Sequence, residues 1–297
     1  MIKMNGVINV LKPPGMTSHD VISFLRRIFA IKKIGHAGTL DPQAAGVLPV
    51  CLGQATRLLE FLNYDDKEYV CHMTFGSATT TQDAWGEITE THDPGTVTLD
   101  KIKENIIKLT GEIEQIVPMY SAVKVRGEAL YKKARRGEKA ISVAKRVYID
   151  EFRVLDFQPP VLSFFVRCSK GTYIRTLCHD LGNLLGVGGH LSFLLRNRVG
   201  SFTLEQSVTL EEITVSREKV VLPLDRCRLG LPDITLPPEE LDRLHHGRAI
   251  VLQGIVPGDS KQGPIAVYDE KENLQAIGEI TAADNRFLLK PKKVFNW

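Results

Sequence analysis

A loop with a single acid, Asp41, is the stretch of this sequence best suited to chemistry. It reads GHAGTLDPQAAGVLPV over residues 35–50, and the acids nearest to Asp41 in the chain are Asp20 and Glu60. The glycines open backbone angles that other residues avoid, and Pro42 restricts the residue before it to extended conformations. A carboxylate held in this way projects from a loop with little side-chain bulk, which leaves room for a flat substrate. The alternative is a purely structural Asx turn with Pro42.

The surroundings of this loop exclude several common chemistries. No Gly-Lys-Ser/Thr follows it, as a phosphate-binding P-loop requires, and neither a partner carboxylate nor a D-x-D pair lies beside it. The five cysteines are scattered without a C-x-x-C, and none of the eight histidines has a typical metal-ligand spacing. We therefore expect no disulfide scaffold, no metal and a location in the reducing cytoplasm.

A basic segment interrupts a chain whose overall charge is small. The 297 residues carry a formal net charge of +3, whereas residues 124–146 hold nine basic and two acidic residues, a local charge of +7. Such a patch on a nearly neutral protein indicates a polyanionic partner, most often nucleic acid. The alternative is a solvated helix face without a partner. The basic residues are Lys124, Arg126, Lys132, Lys133, Arg135, Arg136, Lys139, Lys145 and Arg146.

The spacing of apolar residues predicts an α+β fold. One helix begins near His19 with Ser18 as its cap, and Gly35 closes it. Because strands and helices do not alternate regularly, a mixed, mainly antiparallel sheet flanked by helices is favoured over a doubly wound parallel sheet. The other predicted helices are 54–63, 99–111 and the later part of 169–186, and the predicted strands are 6–11, 68–76 and 161–168.

The composition changes near residue 230, where LGLPDITLPPEE carries three prolines and is typical of a linker. Beyond it, the short apolar runs RAIVLQG, GPIAVYD, LQAIGEI and RFLLKP predict a small all-β module of about 60 residues. We therefore predict one domain over residues 1–230 and a second over 231–297. No run of about 18 apolar residues is present, so no membrane-spanning helix is expected. The N-terminus also lacks the features of a signal peptide.

Five motifs follow one another from residue 6 to about residue 200. They are NVLKPPGMTSHDV, GHAGTLDPQAAGVLPVCLGQATRL, KEYVCHMTFGSATTTQDAWGE, PMYSAVKVRGEALYKKARRG and CSKGTYIRTLCHDLG. In order and spacing, this set resembles the bacterial tRNA pseudouridine-55 synthase family, and the second motif is the most specific. The C-terminal module is similar to a PUA domain, a small RNA-binding β module, through the weaker motifs LHHGRAIVL and GPIAVYDEKENLQAIGEI.

This resemblance implies isomerisation of the uridine at position 55 in the T-loop of tRNA, with no cofactor and no metal. The enzyme breaks the bond between uracil N1 and ribose C1′, rotates the base, rejoins it through C5 and removes the C5 proton. Three routes stay open for the catalytic carboxylate: attack at C1′, attack at C6, or deprotonation at C2′ to give a glycal. The implied partner is the T-arm stem-loop of tRNA, and the implied oligomeric state is a monomer.

The resemblance also implies a catalytic set of three residues. Asp41 matches the family's catalytic aspartate, and Arg175 matches the arginine that pairs with that carboxylate. The carboxylate must be ionised, and a guanidinium stays charged in a low-dielectric pocket where it can keep it so. Tyr69 matches the tyrosine that stacks on the target base and is placed to take the C5 proton. Without the resemblance, Tyr69 is interpreted as a core residue and Arg175 as a surface helix residue.

Further residues match those that receive a uridine flipped out of the folded RNA. A flipped base needs aromatic and apolar groups that replace its lost stacking. Tyr173 and Leu194 match family residues that line this pocket, and His36 matches the histidine that fills the space the T-loop bases vacate. Without the resemblance, Leu194 is interpreted as core and His36 as a cap at a helix C-terminus.

Three more residues match supporting positions of the family. Lys12 and Pro13 match the structural pair beneath the catalytic loop. Asp83 matches an acid near the site that can exchange with Asp41 for Arg175. We therefore expect structural support from the first two and a contact with substrate or site from the third.

The basic segment is implied to grip the backbone of the T-stem. We expect Lys132, Lys133, Arg135 and Arg136 to contact phosphates, which supply affinity and salt dependence but no choice of base.

The sequence departs from the family pattern at two positions. Thr80 stands where many members carry a further acid, and Leu195 precedes Arg196 where others have two arginines. Two alternatives to a stand-alone tRNA enzyme stay open. One is an RNA-binding protein without chemistry, and the other is a pseudouridine synthase that works within a guide-RNA particle.

Overall fold

The computed structural model describes residues 4–61, 66–121, 123–138, 143–223, 231–252, 264–283 and 286–295. The chain divides into two compact units. The first comprises Met1–Pro42, Val47–Asn63 and Gly200–Trp297, and the second comprises Gln43–Gly46 and Tyr64–Val199.

Six α-helices lie among the described residues, and none of them is long and apolar enough to cross a membrane. They are α1 (Ser18–Phe29), α2 (Leu99–Lys108), α3 (Leu130–Arg135), α4 (Ile174–Leu184), α5 (Leu210–Ser216) and α6 (Pro238–His245). The 3₁₀ helices of the same parts are Gly53–Leu58, Pro94–Thr96 and Arg217–Val220.

Nineteen strands lie within the described ranges. The first ten are β1 (Gly6–Lys12), β2 (Ile34–His36), β3 (Ala45–Leu52), β4 (Lys67–Phe75), β5 (Ser77–Thr79), β6 (Ile88–Thr91), β7 (Gly111–Ile116), β8 (Lys124–Val125), β9 (Glu128–Ala129) and β10 (Ala144–Gln158). The others are β11 (Val161–Cys168), β12 (Gly189–Val199), β13 (Phe202–Thr203), β14 (Leu222–Pro223), β15 (Asp233–Thr235), β16 (Ile250–Leu252), β17 (Pro264–Tyr268), β18 (Leu274–Ala283) and β19 (Arg286–Val294).

The second unit is built on an antiparallel sheet in the order β12, β4, β11, β10, β7. Side chains of β4 alternate strictly between buried and half-buried, as expected for a strand with one face in the core. The helix α4 packs against β12 and buries Ile174, Leu177 and Leu181, which lie on one helical face. This sheet and helix carry most of the residues predicted to receive the substrate.

In the first unit, β1 lies between β14 and β3, and β2 pairs antiparallel with β3. The helices α1 and α5 cover this sheet, and their residues Val21, Leu25 and Ile213 share one apolar core with Ile8 and Val10 of β1. Burial of such side chains contributes about 1.5–3 kcal/mol each. The sheet therefore gives the loop after β2 a rigid base.

The start and end of α1 differ from the prediction. Thr17, not Ser18, is the N-cap, because its hydroxyl accepts the backbone N–H of Asp20 while the Asp20 carboxylate accepts the N–H of Thr17. The helix ends at Phe29 because Ala30 adopts a left-handed conformation with φ of 53°, so Gly35 does not close it. The Ser18 side chain is thereby available for a different contact, described below.

The predicted helix over 54–63 is also wrong in type. The described part forms a 3₁₀ helix, Gly53–Leu58, in which the Thr56 hydroxyl donates to the Gly53 carbonyl over 2.8 Å. A hydroxyl bonded to a nearby backbone carbonyl competes with regular helix bonding. Residues 62 and 63 lie outside the described part of the chain.

The four apolar runs of the C-terminal region form β16, β17, β18 and β19. Together with β15 they make a sheet in the order β15, β17, β18, β19, β16. The proline-rich stretch before them is not a plain linker, because it contains β15 and the start of α6. Pro238 at the first position of α6 has the fixed φ that suits a helix start. Together with the mainly antiparallel sheets and their flanking helices, this confirms the predicted α+β fold class, whereas the domain boundary at residue 230 stays a prediction.

Candidate active site

The backbone before Asp41 is fixed by one hydroxyl group. The Ser18 Oγ accepts the N–H of Leu40 at 2.9 Å and donates to the carbonyl of Leu40 at 3.1 Å. Both groups are buried, so this single side chain satisfies two polar groups that would otherwise be costly. The residue that precedes the catalytic candidate therefore has no freedom to rotate its peptide groups.

The backbone after Asp41 is fixed by an ammonium group. The Nζ of Lys12, a residue with no exposed surface, donates to the carbonyls of Pro13 at 2.8 Å and Pro42 at 3.0 Å. The N–H of Gly15 donates to the same Pro42 carbonyl at 2.9 Å. Asp41 is half-buried between these anchors. Lys12 thus connects Pro13 to the backbone after Asp41, and the supporting role of Lys12 and Pro13 stays a prediction.

His36 is the last residue of β2 and pairs with Val50 of β3. It is half-buried, and the next residue, Ala37, donates its N–H to the Pro49 carbonyl at 2.9 Å. His36 is not a helix cap, because it lies in a strand. The strand pairing holds this end of the loop to the sheet of the first unit.

In the second unit, Tyr69 and Leu194 lie on the neighbouring strands β4 and β12. Tyr69 is 6% exposed and pairs with Arg196, and Leu194 pairs with Cys71. As ladder partners, Tyr69 and Arg196 present their side chains on the same face of the sheet. Burial raises the pKa of Tyr69 strongly, and the charge of Arg196 and a hydrogen bond from it oppose that effect only in part. The phenol is therefore protonated at neutral pH.

Gly46 of β3 touches the backbone of the same arginine. It pairs with Arg196 in parallel register and has a φ of 115°, a left-handed value that favours glycine. A Cβ at this position would lie 2.3 Å from the Arg196 carbonyl oxygen. A glycine is therefore needed at position 46 for the close packing of the β3 backbone against β12.

Arg175 is a buried cation and not a surface helix residue. It is 5% exposed in α4, and its guanidinium donates to the carbonyls of Thr81 at 3.2 Å and Tyr120 at 3.1 Å. Its Nη1 also lies 3.5 Å from Oδ2 of Asp83. Since a buried charge is costly without partners, these groups offset the cost of burying the guanidinium.

Asp83 is itself held in a tight turn. Its Oδ1 accepts the hydroxyl of Thr81 at 2.5 Å and the N–H of Trp85 at 3.1 Å. The structure therefore brings together two predicted site residues of the second unit, Asp83 and Arg175, and orients the carboxylate by its own loop.

Tyr173 is the residue before the first turn of α4, and a buried amide positions it. The N–H of Tyr173 donates to Gln115 Oε1 at 3.0 Å, and Gln115 Nε2 donates to the Tyr173 carbonyl at 3.2 Å. Gln115 lies on β7 and is 1% exposed. It was missed by the sequence analysis, although its neighbours two positions away on the same face, Ile113 and Val117, are apolar and indicate a buried position.

One arginine of the basic segment is bonded to both of the segment's glutamates. Arg136 donates to both carboxylate oxygens of Glu128, at 2.6 and 2.8 Å, and to Glu138, at 2.6 and 2.8 Å. These bonds hold the pKa of Glu128 below its usual value. Lys133 is half-buried 3.7 Å from Glu138, whereas Lys132 on α3 is exposed. Among the predicted phosphate contacts whose side chains the structure describes, Lys132 is thus exposed and takes no part in the bonds of Arg136.

Two parts of this segment fall outside the description. The backbone of Arg135 belongs to α3, but its side chain lies outside the described residues, as do residues 139–142. Within the described residues, no group of three or more histidine, cysteine, aspartate and glutamate side chains is placed to hold a metal ion.

Known protein families match the parts of the chain that hold most of these residues. A family model described as "TruB family pseudouridylate synthase (N terminal domain)" matches residues 26–174, and one described as "tRNA pseudouridylate synthase B C-terminal domain" matches 175–227. The chain is 48% identical over 251 residues to "tRNA pseudouridine synthase B" from Symbiobacterium thermophilum, which covers 83% of each chain. It is 41% identical over 299 aligned residues to the protein of the same name from Heliobacterium modesticaldum, covering 99% of this chain and 96% of the relative.

Solved structures give a consistent result. The fold is similar to a chain in "Crystal Structure of a Cbf5-Nop10-Gar1 Complex", with a TM-score of 0.78 and 30% identity over 98% of this chain and 85% of that chain. It is also similar to a chain in "Structure of H/ACA RNP bound to a substrate RNA containing 2'-deoxyuridine", with a TM-score of 0.77, 28% identity and the same coverage.

The fold and the matched regions define a pseudouridine synthase. The chain belongs to the TruB family of pseudouridylate synthases, and it is an isomerase that acts on tRNA.

Proposed function

We propose that this enzyme converts uridine 55 in the T-loop of tRNA to pseudouridine, with Asp41 as its catalytic carboxylate and with no cofactor or metal. The observation that carries the proposal is the Asp41 loop itself. It matches the family motif position by position, and its backbone is anchored at Leu40 and at Pro42. Anchors on both sides suit a catalytic group, because small displacements of such a group cost rate.

The reaction is an isomerisation, so substrate and product have the same atomic composition. The N1–C1′ bond breaks, the uracil turns, a C5–C1′ bond forms, and the proton of C5 is transferred to N1 through general base and solvent. In this proposal, Asp41 starts the sequence by attack at C1′, by attack at C6 or by removing the C2′ proton. An ionised carboxylate is required in each route.

The second unit supplies the residues that receive the flipped base in this proposal. Tyr69 stacks on the uracil and handles the C5 proton, while Tyr173 and Leu194 line the pocket. Unstacking a base from folded RNA costs a few kcal/mol, which stacking on aromatic and apolar side chains offsets. Arg175, with Asp83 beside it, supplies the buried positive charge that the family pairs with its catalytic aspartate.

In this proposal, RNA binding also involves three further parts of the chain. The exposed Lys132 and its basic neighbours Lys133, Arg135 and Arg136 contact T-stem phosphates, and His36 fills the space that the turned-out T-loop bases leave. The C-terminal sheet is proposed to act as a PUA-like RNA-binding module of a monomeric enzyme. Since the proposed substrate is tRNA, we place the enzyme in the cytoplasm.

The test is release of tritium from C5 of uridine 55 in a T-arm hairpin. Wild-type enzyme is expected to release it, and Asp41→Asn is expected to release none above background while binding the hairpin with unchanged affinity. Glu211→Gln, an exposed acid-to-amide change on α5 in the same unit and outside the C-terminal sheet, is the control and is expected to keep full activity. Turnover by Asp41→Asn near the wild-type rate would refute the assignment.

The same assay separates the two alternatives. The Cbf5 complex found by fold similarity makes a guide-dependent synthase the second candidate. Activity on a free hairpin without any guide RNA contradicts that candidate. Tight binding of the hairpin by wild type without tritium release would instead favour an RNA-binding protein without chemistry.

A further inference from the structure

Arg196 is a buried cation to which none of the roles above is assigned. It is 1% exposed and is among the largest fully buried side chains in the described part of the protein. Burying a guanidinium costs several kcal/mol unless hydrogen bonds and charges compensate it. Its contacts are therefore expected to matter either for the fold or for the site.

The backbone of Arg196 is held from two sides. On one side it pairs with Tyr69 in the antiparallel ladder of β12 and β4, and on the other it pairs in parallel with Gly46. A register shift follows between Arg196 and Arg198, so that Arg198 turns to Asp66 and Glu68 at the half-buried face. The two arginines of the strand thus serve opposite faces, and only Arg196 faces the core with Tyr69.

The chemistry of the two side chains fixes which of them donates the hydrogen bond and which accepts it. A guanidinium has hydrogen-bond donors and no acceptor, whereas a phenol can donate one bond and accept others. Arg196 and Tyr69 are buried and directly opposite in the ladder, so in a hydrogen bond between their side chains the tyrosine oxygen is the acceptor. The O–H of Tyr69 must consequently point away from Arg196.

We propose that Arg196 is a positioning residue, which acts by holding the Tyr69 hydroxyl in one orientation for its encounter with the flipped uracil. This inference rests on the role proposed above for Tyr69. The ring is held by strand pairing and burial, and the rotation of its hydroxyl is held by the arginine. The charge of Arg196 also stabilises negative charge on the tyrosine oxygen while the base is rearranged.

The hydrogen bond is tested first, without RNA. Protein is labelled with tyrosine carrying ¹³C at the ζ carbon, and the Tyr69 resonance is identified by its loss in Tyr69→Phe. Arg196→Met removes every donor at similar length and is expected to shift that resonance. Arg198→Met, two residues along the same strand, is expected to leave it in place.

The role in the reaction is then measured with the tritium assay in a single turnover with excess enzyme. Arg196→Met is expected to slow the reaction by about a hundredfold, as a misplaced reacting group does. Its hairpin affinity is expected to stay within about twofold, the effect of a change outside the binding contacts. Arg196→Lys keeps a buried donor and a charge, so part of the rate is expected to return. It is also the variant to use if Arg196→Met does not fold.

Three results would overturn the inference while leaving the proposed function intact. They are an unmoved Tyr69 resonance in Arg196→Met, a wild-type rate in that variant, or equal rate losses in the Arg196 and Arg198 variants. If the methionine variant does not fold, Arg196→Lys with both the resonance and the rate unchanged overturns it as well. Wild-type activity in Tyr69→Phe, by contrast, would remove the role of Tyr69 on which the inference rests.

Discussion

The ammonium group of Lys12 lies 3.0 Å from the carbonyl oxygen of Pro42, a residue thirty positions further along the chain. This bond joins the end of β1 to the backbone just after Asp41. With the Ser18 hydroxyl on the other side, it makes the orientation of the Asp41 loop a property of the folded first unit.

Replacing Lys12 by methionine is expected to lower both stability and turnover. The carbonyls of Pro13 and Pro42 lose a charged donor, and an unmade bond of this kind costs about 2–3 kcal/mol. Urea unfolding measures the stability, and the tritium assay measures kcat. Lys33→Met, at an exposed lysine of the same unit, is the control and is expected to change neither. A normal kcat in folded Lys12→Met would show that the anchor is dispensable for catalysis.

Gly46→Ala is expected to destabilise the protein by about 2–3 kcal/mol, because strain at a left-handed φ adds to a clash with Arg196. Gly186→Ala provides the comparison. Gly186 has a φ of 72°, but nothing lies within 4 Å of its added Cβ, so only the backbone penalty of about 1 kcal/mol is expected. Equal losses in the two variants, measured by urea unfolding, would rule out the steric contribution.

Lys132→Ala is expected to reduce the salt dependence of hairpin binding more than Arg136→Ala does. Removing one cation that binds a phosphate lowers the slope of log K against log salt by about 1. Arg136 must give up its bonds to Glu128 and Glu138 before it can bind a phosphate, whereas Lys132 is exposed. Fluorescence anisotropy over a range of salt concentrations provides the slopes. A larger reduction of the slope with Arg136→Ala would reverse the assignment.

Asp180→Asn is expected to stabilise the protein at neutral pH. Burial raises the pKa of the Asp180 carboxyl, an effect that His179 partly opposes. The folded state therefore favours the protonated acid, and stability falls as the pH rises from the ordinary value of 3.8 through the raised pKa. Removing the charge is expected to abolish that part of the pH dependence.

Urea unfolding at a series of pH values checks this sign. Asp180→Asn and wild type are expected to have similar stability below the ordinary aspartate pKa and to diverge above it. The exposed Asp233→Asn serves as the control and is expected to follow wild type throughout. A variant less stable than wild type at pH 7 would contradict the expectation.

Local patterns predicted the strands well, because the residues that define a strand are consecutive in the sequence. VLSFFVRC was predicted as 161–168 and forms β11 with the same bounds. The wrong predictions arose where neighbouring side chains competed for the same backbone groups. Thr17 and Ser18 are both good caps, and only the fold decides that Thr17 caps α1 while Ser18 binds Leu40.

Motif matching located the candidate site, but it could not supply the residues that hold it. Gln115 reaches Tyr173 from 58 positions away, and no local pattern encodes that distance. The inward direction of Arg196 could not be predicted either, because it depends on the register of β12 against β4. Contacts of this kind follow from tertiary structure alone.

The double role of the Ser18 hydroxyl has a consequence for protein engineering. A single oxygen that gives and receives hydrogen bonds with the same residue, Leu40, has no equivalent among alanine, valine or the acidic side chains. The conformation of the Asp41 segment consequently depends on residues outside the segment. Grafted onto another scaffold, the same sequence would lose its conformation. The host would also have to supply a hydroxyl and a buried ammonium group from distant parts of its chain.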